Sequence, residues 1–192
     1  MAAKRTIEQF RAKLAGGGAR PNLFEVELNF PTSLNAQTID GAAAKTNSQF
    51  LVKAAALPAS NITPIDVPFR GRILKLAGER TFDTWTITVL NDTDFSIRTA
   101  FEQWMNGISK LDDASGEVNP EDYSQSAKVF QLDRSGDVMR EYEFYGLFPT
   151  NISQIDLSMD SSDTVEEFTV ELQVLWWKAV SSTASGAPDI TW

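Results

Sequence analysis

Residues 168–177 read Phe-Thr-Val-Glu-Leu-Gln-Val-Leu-Trp-Trp. Phe168, Val170, Leu172, Val174 and Trp176 fall on one side of an extended chain, and Thr169, Glu171, Gln173, Leu175 and Trp177 on the other. A period of two among β-branched and aromatic residues marks a strand with one buried face. Leu175 and Trp177 make the end of this strand apolar on both sides, as suits burial between two layers or against a partner chain.

The same period recurs outward along the chain. Phe24, Val26, Leu28 and Phe30 alternate with polar residues until Pro31, and Trp85, Ile87 and Val89 alternate with Thr84, Thr86 and Thr88. Shorter strands are expected at 50–56, 62–67 and 72–76, and a hairpin at 127–132 and 138–145 around Arg134-Ser135-Gly136-Asp137. One helix is expected at about 95–111, capped by Asp94 or Ser96, with Ile97, Ala100, Phe101, Trp104, Ile108 and Leu111 forming one apolar stripe. It should pack on the sheet.

Residues 31–47 lack a sustained period and read as a long loop, and 112–122 as an acidic one. Ile7, Phe10 and Leu14 have helical spacing before Gly16-Gly17-Gly18, which gives an amphipathic arm over 1–22. A body over 23–180 follows, and then a second, Ser-, Ala- and Gly-rich arm over 181–192 ending in Trp192.

The chain has 192 residues, 42% of them hydrophobic, with 12 Phe and 5 Trp, enough for one packed domain. It contains no Cys and no His. That removes Ser-His-Asp triads, thiolate nucleophiles, disulfides and ordinary zinc sites. No stretch approaches the roughly 18 apolar residues of a membrane span, and the first residues lack a signal-peptide core, so cytosolic synthesis is expected.

The net charge is −9, which argues against a protein that grips nucleic acid. Residues 1–20 carry Lys4, Arg5, Arg11, Lys13 and Arg20 against Glu8 alone, a balance of +4, whereas the remainder carries 12 basic and 25 acidic side chains, a balance of −13. A basic arm on an acidic body suits contact between the arm of one copy and the body of another. A solvated arm is the competing reading.

Other motifs are weak. Gly16-Gly17-Gly18 lacks the strand and helix of a phosphate cradle. Aligning Gly116 with the calcium-loop glycine puts Leu111 at the first ligand position, so that pattern fails and a solvated loop is the simpler reading. Glu141 with Glu143, or Glu166 with Glu167, meets the minimum for carboxylate hydrolysis, but such pairs also decorate solvent-facing strands. Most aromatic residues have core periodicity, and Trp177 and Trp192 stand out as candidates for an interface.

Two blocks carry a resemblance. The first runs from Val67-Pro-Phe-Arg-Gly-Arg72 through Lys75-Leu-Ala-Gly78, Arg80-Thr-Phe82, Trp85-Thr86 and Asn91-Asp92 to Phe95, Arg98 and Trp104. The second is Glu143-Phe-Tyr-Gly-Leu-Phe-Pro-Thr150 with Ile152, Ile155-Asp-Leu157 and Glu166-Glu-Phe-Thr-Val170. Together they resemble the tail tube proteins of T4-like contractile-tailed phages, a family related to type VI secretion and contractile bacteriocin tubes.

The resemblance implies a mainly β fold, an antiparallel β-barrel or sandwich with one flanking α-helix. It also implies six copies per ring, rings stacked inside a sheath, and baseplate and tape measure proteins as partners. DNA would pass through the lumen without specific binding, and no cofactor or enzymatic activity is expected. The place is the virion tail, assembled in host cytoplasm.

Glu141, Glu143, Glu166, Glu167 and Glu171 are the expected lumen carboxylates. Lys4, Arg5, Arg11, Lys13, Arg20, Arg70, Arg72, Trp177 and Trp192 are the expected subunit contacts. A contractile bacteriocin or type VI tube is the alternative, and a β-sandwich carbohydrate-binding module or carboxylate hydrolase a remote one.

Overall fold

The computed structural model describes residues 6–14, 18–31, 41–160 and 162–180. Nine strands are present among them: β1 (Phe24–Leu28), β2 (Val52–Ala55), β3 (Ser60–Phe69), β4 (Arg72–Phe82), β5 (Trp85–Leu90), β6 (Gln125–Leu132), β7 (Val138–Ile152), β8 (Glu167–Gln173) and β9 (Trp176–Val180). Four helices accompany them: α1 (Ile7–Lys13), α2 (Gly41–Leu51), α3 (Ser96–Ile108) and α4 (Pro120–Tyr123). Seven strands form an antiparallel sheet in the order β1-β6-β7-β8-β5-β2, with β9 also on β7, while β3 and β4 pair only with each other. The sheet folds around one core but does not close into a barrel.

The core follows the alternation. Val26 and Leu28, Trp85, Ile87 and Val89, Ala127 and Val129, and Phe168, Val170 and Leu172 all point inward. Trp85 stacks on Phe144 with ring centres 4.5 Å apart, and Phe30 sits edge-on to the parallel rings of Phe101 and Trp104 on α3. The Trp104 indole donates to the Tyr123 carbonyl at 2.7 Å, so its burial leaves no orphan donor.

Three details depart from the sequence reading. Residues 41–51, expected as part of a loop and the start of a strand, form α2. Ala44 and Ser48 are fully buried one turn apart, a stripe of small side chains with too little hydrophobic contrast to register as amphipathic. The Ser48 hydroxyl accepts from Leu28 N at 3.2 Å and lies 3.3 Å from Val26 O, so α2 covers the open edge of β1. The expected single flanking helix therefore has a second packed against the sheet edge.

The second departure is at α3. Its start is held by Asp92, whose carboxylate accepts from Ser96 N at 2.9 Å and Ser96 Oγ at 2.7 Å, rather than by Asp94. Phe95 takes a left-handed conformation, φ 53°, which swings Asp92 onto the first turn. The helix stops at Ile108 because the following loop folds back: Glu117 N donates to Gly107 O, and a Cβ on Gly116 would lie 2.0 Å from Ile108 O. Leu111 is thus solvent-exposed instead of extending the apolar stripe.

The third lies in the stretch at 168–177. β8 and β9 run along β7 as a nearly continuous strand, but their inward phase changes at the corner where Gly146 meets Leu175. Before it Phe168, Val170, Leu172 and Val174 are buried; after it Trp177 packs on the core and Trp176 is exposed, reversing the expected roles of the two. β7 changes phase opposite, from Phe144 to Leu147. Gly146 has φ 64°, and a Cβ there would come within 2.7 Å of Leu175 Cβ. Gly146→Ala is therefore expected to destabilise the fold by about 1–3 kcal/mol, read as a lower urea midpoint at unchanged slope.

Candidate functional site: surfaces left uncovered by the fold

β3 and β4 extend as a ribbon whose residues are exposed along nearly its whole length. The register pairs Ile65 with Leu76, Val67 with Leu74 and Phe69 with Arg72, which places these side chains on one face. The other face carries Asp66 opposite Lys75, joined at 2.8 Å. The ribbon thus has an apolar face that none of the described residues covers: Phe69 is 67% exposed and Leu74 57%. At its tip Arg70 and Gly71 adopt φ 44° and 82°, a tight turn with both central residues left-handed. Arg70 lies over the Phe69 ring, and neither Arg70 nor Arg72 has an ion-pair partner among the described residues.

The expected lumen carboxylates occupy three different settings. Glu141 and Glu143 lie on the outward face of β7 within a ladder of alternating charge: Glu27, Lys128, Glu143 and Lys178 stand opposite one another across β1, β6, β7 and β9. Lys128 reaches Glu141 at 2.7 Å and Glu143 at 3.0 Å, Lys178 reaches Glu143 at 3.1 Å, and the Tyr145 hydroxyl donates to Glu143 at 2.6 Å. These two acids are largely neutralised by their neighbours. Glu166 accepts from the Asn91 amide and Glu167 pairs with Lys53, at the end of the sheet where β5 finishes. Glu171 is exposed on β8, opposite Thr86 and Asn151, with no ion-pair partner among the described residues.

The ladder has a consequence for stability. The Tyr145 hydroxyl first, then Lys128 and Lys178, hold the Glu143 carboxyl at about 2, below its ordinary 4.5. A depressed carboxylate contributes stability that is complete above about pH 4.5 and is lost as pH falls toward 2. The wild type is expected to lose roughly 1–3 kcal/mol across that window, and Glu143→Gln to show a flatter profile from a lower starting value, both measured by urea unfolding at stepped pH.

Among the expected contacts, Arg11 and Lys13 sit in the last turn of α1, whose Ile7 and Phe10 are exposed, and Arg20 is exposed beyond it. Trp177 packs on Phe82, Tyr142 and Phe144 and belongs mainly to the core, while Trp176, exposed, stacks on Tyr145. Lys4, Arg5 and Trp192 lie outside the described residues, as do most of the expected loop at 31–47 and the C-terminal arm. Among the described residues no group of three or more acidic side chains is placed to hold a metal ion.

Among the described residues, an exposed apolar ribbon face and an amphipathic helix with its stripe open give the chain the surface of a structural, interacting subunit. Comparisons place it more closely. The model of the phage tail tube protein family matches residues 19–179. Tail tube protein gp19 of Enterobacteria phage T4 is 36% identical over 169 residues, covering 88% of this chain and 96% of that protein. The tail tube protein of Serratia phage KSP90 is 26% identical over 179 residues, 92% and 97% of the two chains.

In fold the chain is similar to a protein of the anti-feeding prophage cap, with a TM-score of 0.61 at 15% identity over 86% of this chain and 92% of that one. It is also similar to a chain of an extracellular contractile injection system, the PVC sheath-tube complex in its extended state, with a TM-score of 0.56 at 11% identity over 93% and 100%. The chain belongs to the phage tail tube protein family. It is a structural virion protein and not an enzyme.

Proposed function

We propose that this protein builds the inner tube of a contractile tail as stacked six-membered rings, through which the genome passes at ejection. The single observation that carries this reading is the exposed apolar face of the β3–β4 ribbon, because leaving such a face in water is unfavourable and covering it with another copy removes that cost. Head-to-tail contacts that close give a ring, and ring-on-ring contacts that do not close give a tube. The sheath outside, the baseplate below and a tape measure within are the partners this architecture calls for, with assembly in the host cytoplasm. Arg11, Lys13 and Arg20 of the arm, with Lys4 and Arg5 ahead of them, are proposed to bind the acidic body of a neighbouring copy.

The channel face is proposed to be the outward side of β5 and β8. Thr86 stands opposite Glu171 and Thr88 opposite Thr169 there, and neither strand contains Lys or Arg. Such a face offers DNA hydroxyls and carboxylates, and the lysine beside it, Lys53 of β2, is already engaged by Glu167, so phosphate meets no free cation there and the polymer slides. Of the five candidate acids, Glu167 and Glu171 share this face. Glu171 contributes most of the repulsion because Glu167 is paired, Glu141 and Glu143 contribute little net charge, and Glu166 lies beside the face.

Glu171→Lys adds one cation per copy to the channel. Tubes of this variant are expected to retain DNA at about 50 mM salt and to release it at a few hundred millimolar, measured by co-sedimentation. Tubes that retain no more DNA than the wild type at low salt would show that Glu171 faces elsewhere.

A further inference from the structure

The ribbon and a cleft lie at opposite ends of the same strands. β5 begins at Trp85, beside the ribbon base where Ser60 pairs with Phe82, and ends at Leu90, on the rim of a cleft of about 500 Å³. Six residues of strand separate the two by roughly 20 Å. The cleft is lined by Leu90, Ile155 and Val165 together with Asp156, Glu166 and Glu167, and Lys53, paired with Glu167, is its one basic group among the described residues.

Charge divides the same way. Residues 60–82 contain Arg70, Arg72, Lys75 and Arg80 against Asp66 and Glu79, and residues 153–167 contain Asp156, Asp160, Asp163, Glu166 and Glu167 with no basic residue. Apolar groups are exposed at both ends, Phe69 and Leu74 on the ribbon and Leu157 and Val165 beside the cleft.

Resting on the tube reading, we propose that the ribbon tip of one copy, Phe69 to Arg72, seats in the acidic cleft of a second copy in the adjacent ring. Arg70 and Arg72 face Asp156 and Glu166 in this arrangement, and Phe69 is covered by the apolar wall that Ile155 and Val165 provide. Donor and acceptor surfaces differ and sit at opposite ends of one subunit, so the contact is head-to-tail and repeats without closing, as growth of a tube requires. Opposite charges at the two ends also set polarity, since tip to tip and cleft to cleft both repel.

Charge reversal tests the pairing. Arg70→Glu with Arg72→Glu is expected to raise the protein concentration needed for tubes by about tenfold or more, seen by electron microscopy and sedimentation, with the thermal melt of the monomer unchanged. Asp156→Arg with Glu166→Arg is expected to do the same, and the chain carrying all four changes to recover tubes. The neutral pair Arg70→Gln and Arg72→Gln, which leaves the turn intact, should show an intermediate defect.

Tubes forming normally from the tip-reversed or tip-neutral chain would overturn the proposal, as would a four-fold variant no better than either parent when both parents remain folded. A wild type that forms no tubes under any condition contradicts the tube reading itself, and the two failures are thereby distinct.

Discussion

A chain in which residues 61–81 are replaced by a short Gly-Ser turn is expected to fold and to build no tubes. The body should survive because β3 and β4 pair with no other strand among the described residues, and because Ser60 and Phe82, the ends left behind, already stand opposite each other. Closing so short a loop costs little. Phe82 keeps its edge-on contact with Trp177, so the core loses nothing it buries. The melting temperature should therefore move by only a few degrees.

Assembly should respond very differently. Ile65, Val67, Phe69, Leu74 and Leu76 form the apolar face removed, and covering side chains of this size is worth about 1.5–3 kcal/mol each before ordering costs. Even if only about 5 kcal/mol of that survives as net attraction, association falls more than a thousandfold. Sedimentation of the deleted chain at concentrations where the wild type forms tubes should show small species alone. A deleted chain that still elongates would mean that the ribbon is decoration.

The opposite outcome is expected for Trp85→Ala. Trp85 is fully buried and stacked on Phe144 at the centre of the core, and truncating such a side chain leaves a cavity costing about 3–5 kcal/mol. Against a total stability of roughly 5–15 kcal/mol, this brings the chain near the edge of folding and lowers the melting temperature by roughly 10 °C or more. Tubes are lost here through the fold and not through the surface, which a thermal melt distinguishes from the ribbon deletion at once. Trp85→Phe should cost much less, because the buried indole N–H has no hydrogen-bond partner among the described residues and its removal gives up only volume.

How much of this was legible in the sequence depended on whether a signal was local. The alternation at 24–28, 85–90 and 168–173 and the stripe of α3 are one-dimensional patterns of real contrast, and they became the elements expected. The phase change at Leu175 was not legible, because it requires Gly146 on another strand to open the corner. α2 leaves no periodic signal because its buried residues are Ala and Ser, and its job of covering the edge of β1 is a tertiary one.

The ribbon shows the limit most clearly. Ile65, Val67 and Phe69 alternate like any core strand, and nothing in their order distinguishes a face covered by the same chain from one covered by another. Among the candidate acids, Glu141 and Glu143 read as a bare carboxylate pair. Their neutralisation depends on the register of the β6–β7 hairpin, which brings Lys128, and on the distant β9, which brings Lys178. The basic residues at the ribbon tip were visible as residues, but the cleft at the opposite end is made by four separate segments and exists only once the sheet is folded.

The most direct test of the tube assignment is a cryo-electron microscopy map of the assembled protein. The account predicts a hollow helical tube of six-membered rings, with the apolar face of residues 60–82 buried against another copy and the threonines of β5 and β8 facing the channel. A closed particle without a channel, or a tube in which that ribbon stands free in solvent, would contradict it.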